Sequence, residues 1–113
     1  MSVLPTDDSA EVLVPHWLAG GERQQLAVAV RAALESSTVH PVTAVHLADV
    51  LTELHVAAAR DAVWPASAAR VRRVTGWGAD VLPVRLSARE LESVLSLPAL
   101  PESLDAALRG GRA

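Results

Sequence analysis

The stretch "VTAVHLADVLTELHVAAARDAV", residues 42–63, decides how the rest of the chain is read. Ala44, Leu47, Leu51, Leu54 and Ala58 recur at steps of three and four. That spacing stacks side chains on one face of an α-helix. Asp49, Glu53 and Arg60 fall largely outside the stripe. Pro41 precedes the segment, where its missing N–H costs a helix nothing. Trp64 stands before Pro65, and a residue in that position is biased away from the α conformation, which closes the helix. A helix is therefore predicted over about 42–63, and it sets a mainly α fold.

The segments on either side conform. From Glu22 to Ser36 a second helix is predicted, with Leu26, Val30, Ala33 and Leu34 on one face. Gly20-Gly21 are expected to break the chain before it. After Pro65, "PASAARVRRV" fails as a strand, because alternation places Val71 and Val74 on opposite faces. As a helix it gathers Ala68, Val71 and Val74 on one arc and spreads Arg70, Arg72 and Arg73 over the other. Ser67 is suited to cap its start and Gly76 its end.

"DVLPVRL" (80–86) alternates, with Leu82, Val84 and Leu86 on one side, and Pro83 confines it to an edge strand or an extended segment. The candidate partners are "EVLV" (11–14) and "STVH" (37–40), so any sheet is small. "SARE" (87–90) is a capping box that opens a helix through Leu91, Val94 and Leu95, and Pro98 stops it. Pro101 opens a last short helix with Leu104, Ala107 and Leu108 inward, ended by Gly110-Gly111. The expected architecture is a compact multi-helix single domain over residues 11–113, with at most a small β element around residues 81–86. Residues 1–10 are expected as a flexible N-terminal tail.

Composition sets outer bounds. A chain of 113 residues, half of them apolar and 20% charged, matches a globular domain with one core. The longest apolar runs are a few residues, so no membrane span is expected. "MSVLPTDDSAEV" has neither the basic start nor the apolar stretch of a signal peptide, which places the protein in the cytoplasm. The chain has no Cys, which removes disulfides, thiolate metal sites and cysteine nucleophiles. Lys, Ile, Asn, Phe and Tyr are also absent, a pattern of codon usage that points to a GC-rich bacterium. The physical result is a core of Leu, Val and Ala, with Trp17, Trp64 and Trp77 as the only aromatic residues.

Motifs for chemistry are missing. His16, His40, His46 and His55 include no pair at the spacing of a helical zinc site, so no metal and no cofactor is expected. There is no nucleophile elbow, no phosphate-binding Gly-rich loop and no Walker motif. What stands out is "RVRRVTGWGAD" (70–80), where three arginines lead into a Trp between two glycines. The net charge is −3, yet residues 70–89 hold five arginines and one acid, Asp80.

Trp and Arg are the types most enriched at protein-binding hot spots. The leading expectation is an interaction or assembly module without catalytic activity of its own. It binds a protein partner or itself through Arg70, Arg72, Arg73, Trp77 and Arg85. The second is a winged-helix-like DNA-binding regulator using the same residues, with "TGWGAD" as the wing tip; the acidic net charge and the missing strand before the wing weigh against it. An enzyme or accessory enzyme subunit ranks third. The alternative to all three is a helix end whose Trp folds back over the core.

Overall fold

A computed structural model describes residues 12–36, 38–63, 65–78, 80–98 and 100–111. The expected tail at 1–10 and Trp64 lie outside them. The elements run β1 (Val14–Leu18), α1 (Gly20–Glu35), α2 (Pro41–Val63), α3 (Pro65–Thr75), β2 (Leu82–Leu86), α4 (Ala88–Leu95) and α5 (Glu102–Ala106), then a closing turn Ala107–Gly111 kinked at Gly110. The protein is mainly α, with a two-stranded antiparallel ribbon, β1–β2.

The predicted long helix forms as α2, and its buried centre is Leu47, Val50 and Ala57, with Leu51 and Leu54 packed at the margin. The burial axis is thus rotated toward Val50 and Ala57, because α2 is covered by α1 and α4 as well as by β2. Its opposite face leaves Val42 and Val45 in water. Leu26 and Val30 of α1, Val94 of α4 and Leu104 of α5 complete the same core. Burying each such side chain is worth roughly 1.5–3 kcal/mol.

The β2 strand alternates as expected: Leu82, Val84 and Leu86 are buried and Arg85 is exposed. Its partner overlaps "EVLV" only at Val14 and runs on as Val14–Leu18, in the register Pro15↔Arg85, His16↔Val84 and Trp17↔Pro83. In an antiparallel ladder, paired residues alternately exchange main-chain bonds and point them outward. The Arg85 N–H points outward, donating to Glu53 Oε2 on α2 at 2.7 Å. Pro15, opposite Arg85, and Pro83, two residues on, fall in the same outward class. Neither proline therefore removes a bond of the ribbon, which is why a strand pair with two prolines can form here.

Gly20-Gly21 do not break the chain; they are the first turn of α1. The residue before the helix is Ala19, which has no side-chain acceptor to offer. One remote residue, Asp80, and two local ones, Glu22 and Arg23, hold the turn instead. The Ala19 N–H donates to Glu22 Oε1 at 2.8 Å, and the Gly20 N–H to Asp80 Oδ2 at 3.1 Å. Arg23 donates to the carbonyl oxygens of both Leu18 and Asp80. The start of α1 and the loop before β2 are fastened together.

The capping box at α4 forms as read: Glu90 N–H donates to Ser87 Oγ at 3.2 Å, and Ser87 N–H to Glu90 Oε1 at 2.8 Å. Leu104, Ala107 and Leu108 all turn inward. Of the expected apolar arc of α3, Ala68 lies among side chains outside the described set, and the other two do not bury. Val71 is half-buried and Val74 is 81% exposed, because the end of α3 leans on the domain through few neighbours. The cap proposed at Ser67 lies among side chains outside the described set.

Candidate functional site

Gly76 ends α3 with φ +77°, a conformation that a residue with a Cβ adopts only with strain. The reversal turns the chain out of the helix and delivers Trp77. Gly78 follows, and a Cβ there would stand 3.2 Å from Asp80 Oδ1, so the loop closes tightly onto the carboxylate that holds α1. Arg72 donates from Nη1 to the Val81 carbonyl at 3.1 Å, tying the last turn of α3 to the start of β2.

These ties place the Trp77 ring against Trp17. The centroids are 5.4 Å apart and the planes tilt by 44°, within the favourable range for an aromatic pair. Trp17 faces the side of the ribbon away from the core. Side chains of paired residues share a face, and the buried Leu82, Val84 and Leu86 take the inner one with Val14, His16 and Leu18. The outer face is left to Pro15, Trp17, Pro83 and Arg85. Trp17 and Pro83 are directly paired and, like Trp77, half-buried, while Pro15 and Arg85 are exposed.

The structure thus divides the sequence-predicted residues. Trp77 and Arg85 are associated with the outer ribbon face, one through its stack on Trp17 and the other through the register. Arg70 and Arg73 are exposed on α3, the helix that leads into Trp77. Arg72 is partly buried and serves the fold, holding the loop in place. Trp77 is neither standing alone in water nor sunk among leucines; it covers a second indole.

Sequence reading missed Trp17. The signal was present in the parity of "VPHWL" against "LPVRL": once the two prolines are both assigned outward positions, Trp17 shares their face. Without knowing which segment pairs with β2, that parity has nothing to act on.

The segment read as a wing tip, 75–80, is the link from α3 to β2, and the strand that pairs with β2 comes from before α1. It is not the tip of a hairpin. On the inner side of the ribbon, His16 is partly buried beside the closing turn. Burial holds its pKa below the ordinary 6.5, an effect opposed by its hydrogen bond to the Leu108 backbone. Among the described residues no three His, Asp or Glu side chains cluster as metal ligands. No described helix is long and apolar enough to cross a membrane.

Two shallow clefts flank α1. One, of about 420 Å³, runs along Gly21, Gln25, Val28 and Pro101. The other, of about 380 Å³, lies over Leu47 between Ala33, Thr43 and Leu97. Neither reaches the tryptophan pair. No protein-family model, no curated protein and no solved structure matches the chain.

Proposed function

We propose that the protein is a small cytoplasmic interaction module. Its contact surface is the outer face of the β1–β2 ribbon: Trp17, Trp77 and Pro83 as an apolar centre, with Arg85, Arg73 and Arg70 as the basic surround. The observation that carries this reading is the Trp17–Trp77 pair. Two of the three aromatic residues of the chain are held together outside the Leu/Val core, on the ribbon face opposite the buried Leu82, Val84 and Leu86. Burying them inside would have served stability; held outside on a tightly braced loop, they form a rigid anchor with little entropy left to lose on binding. Arginine beside them favours an acidic partner segment with an apolar residue to place on the indoles.

Nucleic acid is the second reading, because indole rings also stack on bases and arginines also meet phosphates. It ranks lower because the net charge is −3 and, among the described residues, the basic helix has no hairpin wing beside it. Self-association through the same face is a form of the first reading.

The test is affinity capture with the full chain, comparing wild type with Trp77→Ala, Arg73→Glu and the remote surface change Val28→Ser. A partner retained by wild type and Val28→Ser but lost with Trp77→Ala is the expected result. Loss of roughly 30-fold in affinity is the size expected of a hot-spot residue. Light scattering gives the self-association form as a mass above 11.9 kDa. A partner that binds all variants equally overturns the assignment of the surface. DNA retention that falls steeply with salt and disappears in the same variants replaces it with the second reading.

A further inference from the structure

We infer that the protein self-assembles head to tail: the end of α3 of one copy docks on the outward face of α2 of the next. This contact goes beyond the tryptophan surface proposed above. It adds α2 and Val74, and shares only Arg70 and Arg73 with that surface.

One half of the contact is on α2. A surface helix keeps apolar residues on one side and charges on the other, and a helix that is apolar all round is one that is covered all round. The inner side of α2 holds Leu47, Val50 and Ala57. Its outward side repeats the pattern: Val42, Val45, Asp49, Thr52 and Val56 are exposed and recur at alternating steps of three and four. The three valines are 57%, 60% and 42% exposed. Asp49 is the only Asp, Glu or Arg among the described exposed residues of α2, and its carboxylate has no hydrogen bond or ion pair with any described residue. The exposed faces of α1 and α4 differ, for they carry Arg31 and Glu35, and Arg89 and Glu92.

The other half is on α3. Val74 is 81% exposed, more than any other large apolar residue among those described. Arg70 and Arg73 lie on the same side of the helix, exposed and without an ion pair to any described residue. Arg72 ties this end of α3 to the Val81 carbonyl, so the group is presented on a braced turn.

The halves fit in charge and in spacing. Residues four apart on a helix stand about 5–6 Å from each other. Val45 and Asp49 have that separation on α2, and Arg70 and Val74 have it on α3. With the two helices antiparallel, Val74 seats on Val45 while Arg70 reaches Asp49, with Arg73 as a second cation beside it. A second α2 face would instead bring another unpaired Asp49 and no arginine. The two surfaces are different, so each docked copy still offers one of them, and assembly continues as a chain of copies or closes as a ring. The contact is small against the about 1,600 Å² of a standard interface, so it forms at high protein concentration and low salt.

Sedimentation equilibrium of the full chain at low salt, up to about 1 mM protein, reads the assembly. The weight-average mass is expected to rise with concentration to twice the 11.9 kDa of the monomer and beyond. Val45→Glu and Val74→Glu are each expected to stay at the monomer mass, with circular dichroism unchanged because both positions are exposed. Mixed in equal amounts, these two variants form a dimer and stop there, because the first keeps its α3 end and the second keeps its α2 face. Asp49→Arg and Arg70→Glu each weaken association at least about tenfold, and together in one chain they restore it. A wild-type mass of 11.9 kDa at every concentration overturns the inference. So does a mixture of the two valine variants that stays monomeric while the wild type associates. Association lost in Trp77→Ala and kept in Val45→Glu also overturns it, and returns self-association to the tryptophan surface. Partner capture is judged separately, since Val45→Glu and Val74→Glu leave every residue of the tryptophan surface in place.

Discussion

Asp80 caps a helix sixty residues away in sequence, and removing its carboxylate tests how the site loop is held. In Asp80→Ala the Gly20 N–H at the start of α1 loses its acceptor. The two Arg23 bonds survive, because they end on main-chain oxygens of Leu18 and Asp80. Ala19 has no side chain with which to substitute. Loss of a capping acceptor costs about 1 kcal/mol, and the lost negative charge at a helix N-terminus adds a few tenths. The site is solvent-exposed, so the lower half of the range applies, and the expected total is about 1 kcal/mol. For a domain of this size that is a fall in melting temperature of about 4 °C. Asp80→Asn keeps an amide oxygen for the Gly20 N–H and loses the charge alone, so it is expected to cost less than half as much.

Urea unfolding followed by circular dichroism measures both, with the slope unchanged and the midpoint shifted. Ala19→Ser is the complement. It places a hydroxyl at a residue that already has the backbone of an N-cap, φ −72° and ψ 164°, three residues before Glu22. It is expected to recover about 0.5–1 kcal/mol in the Asp80→Ala background. An Asp80→Ala midpoint equal to wild type, or an Asn variant as unstable as the Ala variant, refutes the remote-cap reasoning.

Two further outcomes follow from the same geometry. His16 binds its proton less readily folded than unfolded, so the unfolded state takes up more protons below the ordinary value of 6.5. Stability from this residue is complete above 6.5 and is lost as pH falls through the lowered folded value. Urea midpoints measured from about pH 8 to about pH 5 should drop less in His16→Gln than in wild type, and parallel curves would remove His16 as the cause. Gly76→Ala forces a Cβ into φ +77° and should destabilise by about 1 kcal/mol while weakening the near-ultraviolet dichroism of the tryptophan pair; an unchanged midpoint would show that the turn relaxes freely.

How much of this was legible beforehand depends on the range of the forces involved. The periodicity of 42–63 predicted α2, because helix hydrogen bonds close within four residues and the apolar repeat is local. Ser87 and Glu90 predicted the start of α4 for the same reason. Val74 misled, because a periodic arc states which side chains share a face and not whether anything covers it. Gly20-Gly21 misled because their helical state depends on Asp80, which local reading cannot reach. Arg72 was grouped with its neighbours by adjacency alone, whereas the turn of α3 points it at Val81 and leaves Arg70 and Arg73 in water.

From its sequence alone, this chain was committed to a helical domain with a Leu/Val/Ala core, to a Gly-ended α3 and to a short strand carrying Arg85 outward. Each rests on bonds or repeats spanning a few residues. Tertiary structure decided which strand pairs with β2, and through that register which face received Trp17. It also brought Trp77 onto Trp17 from a loop sixty residues later. A ribbon between distant segments is selected by the whole core beneath it, since a shift of one residue would exchange its buried and exposed faces.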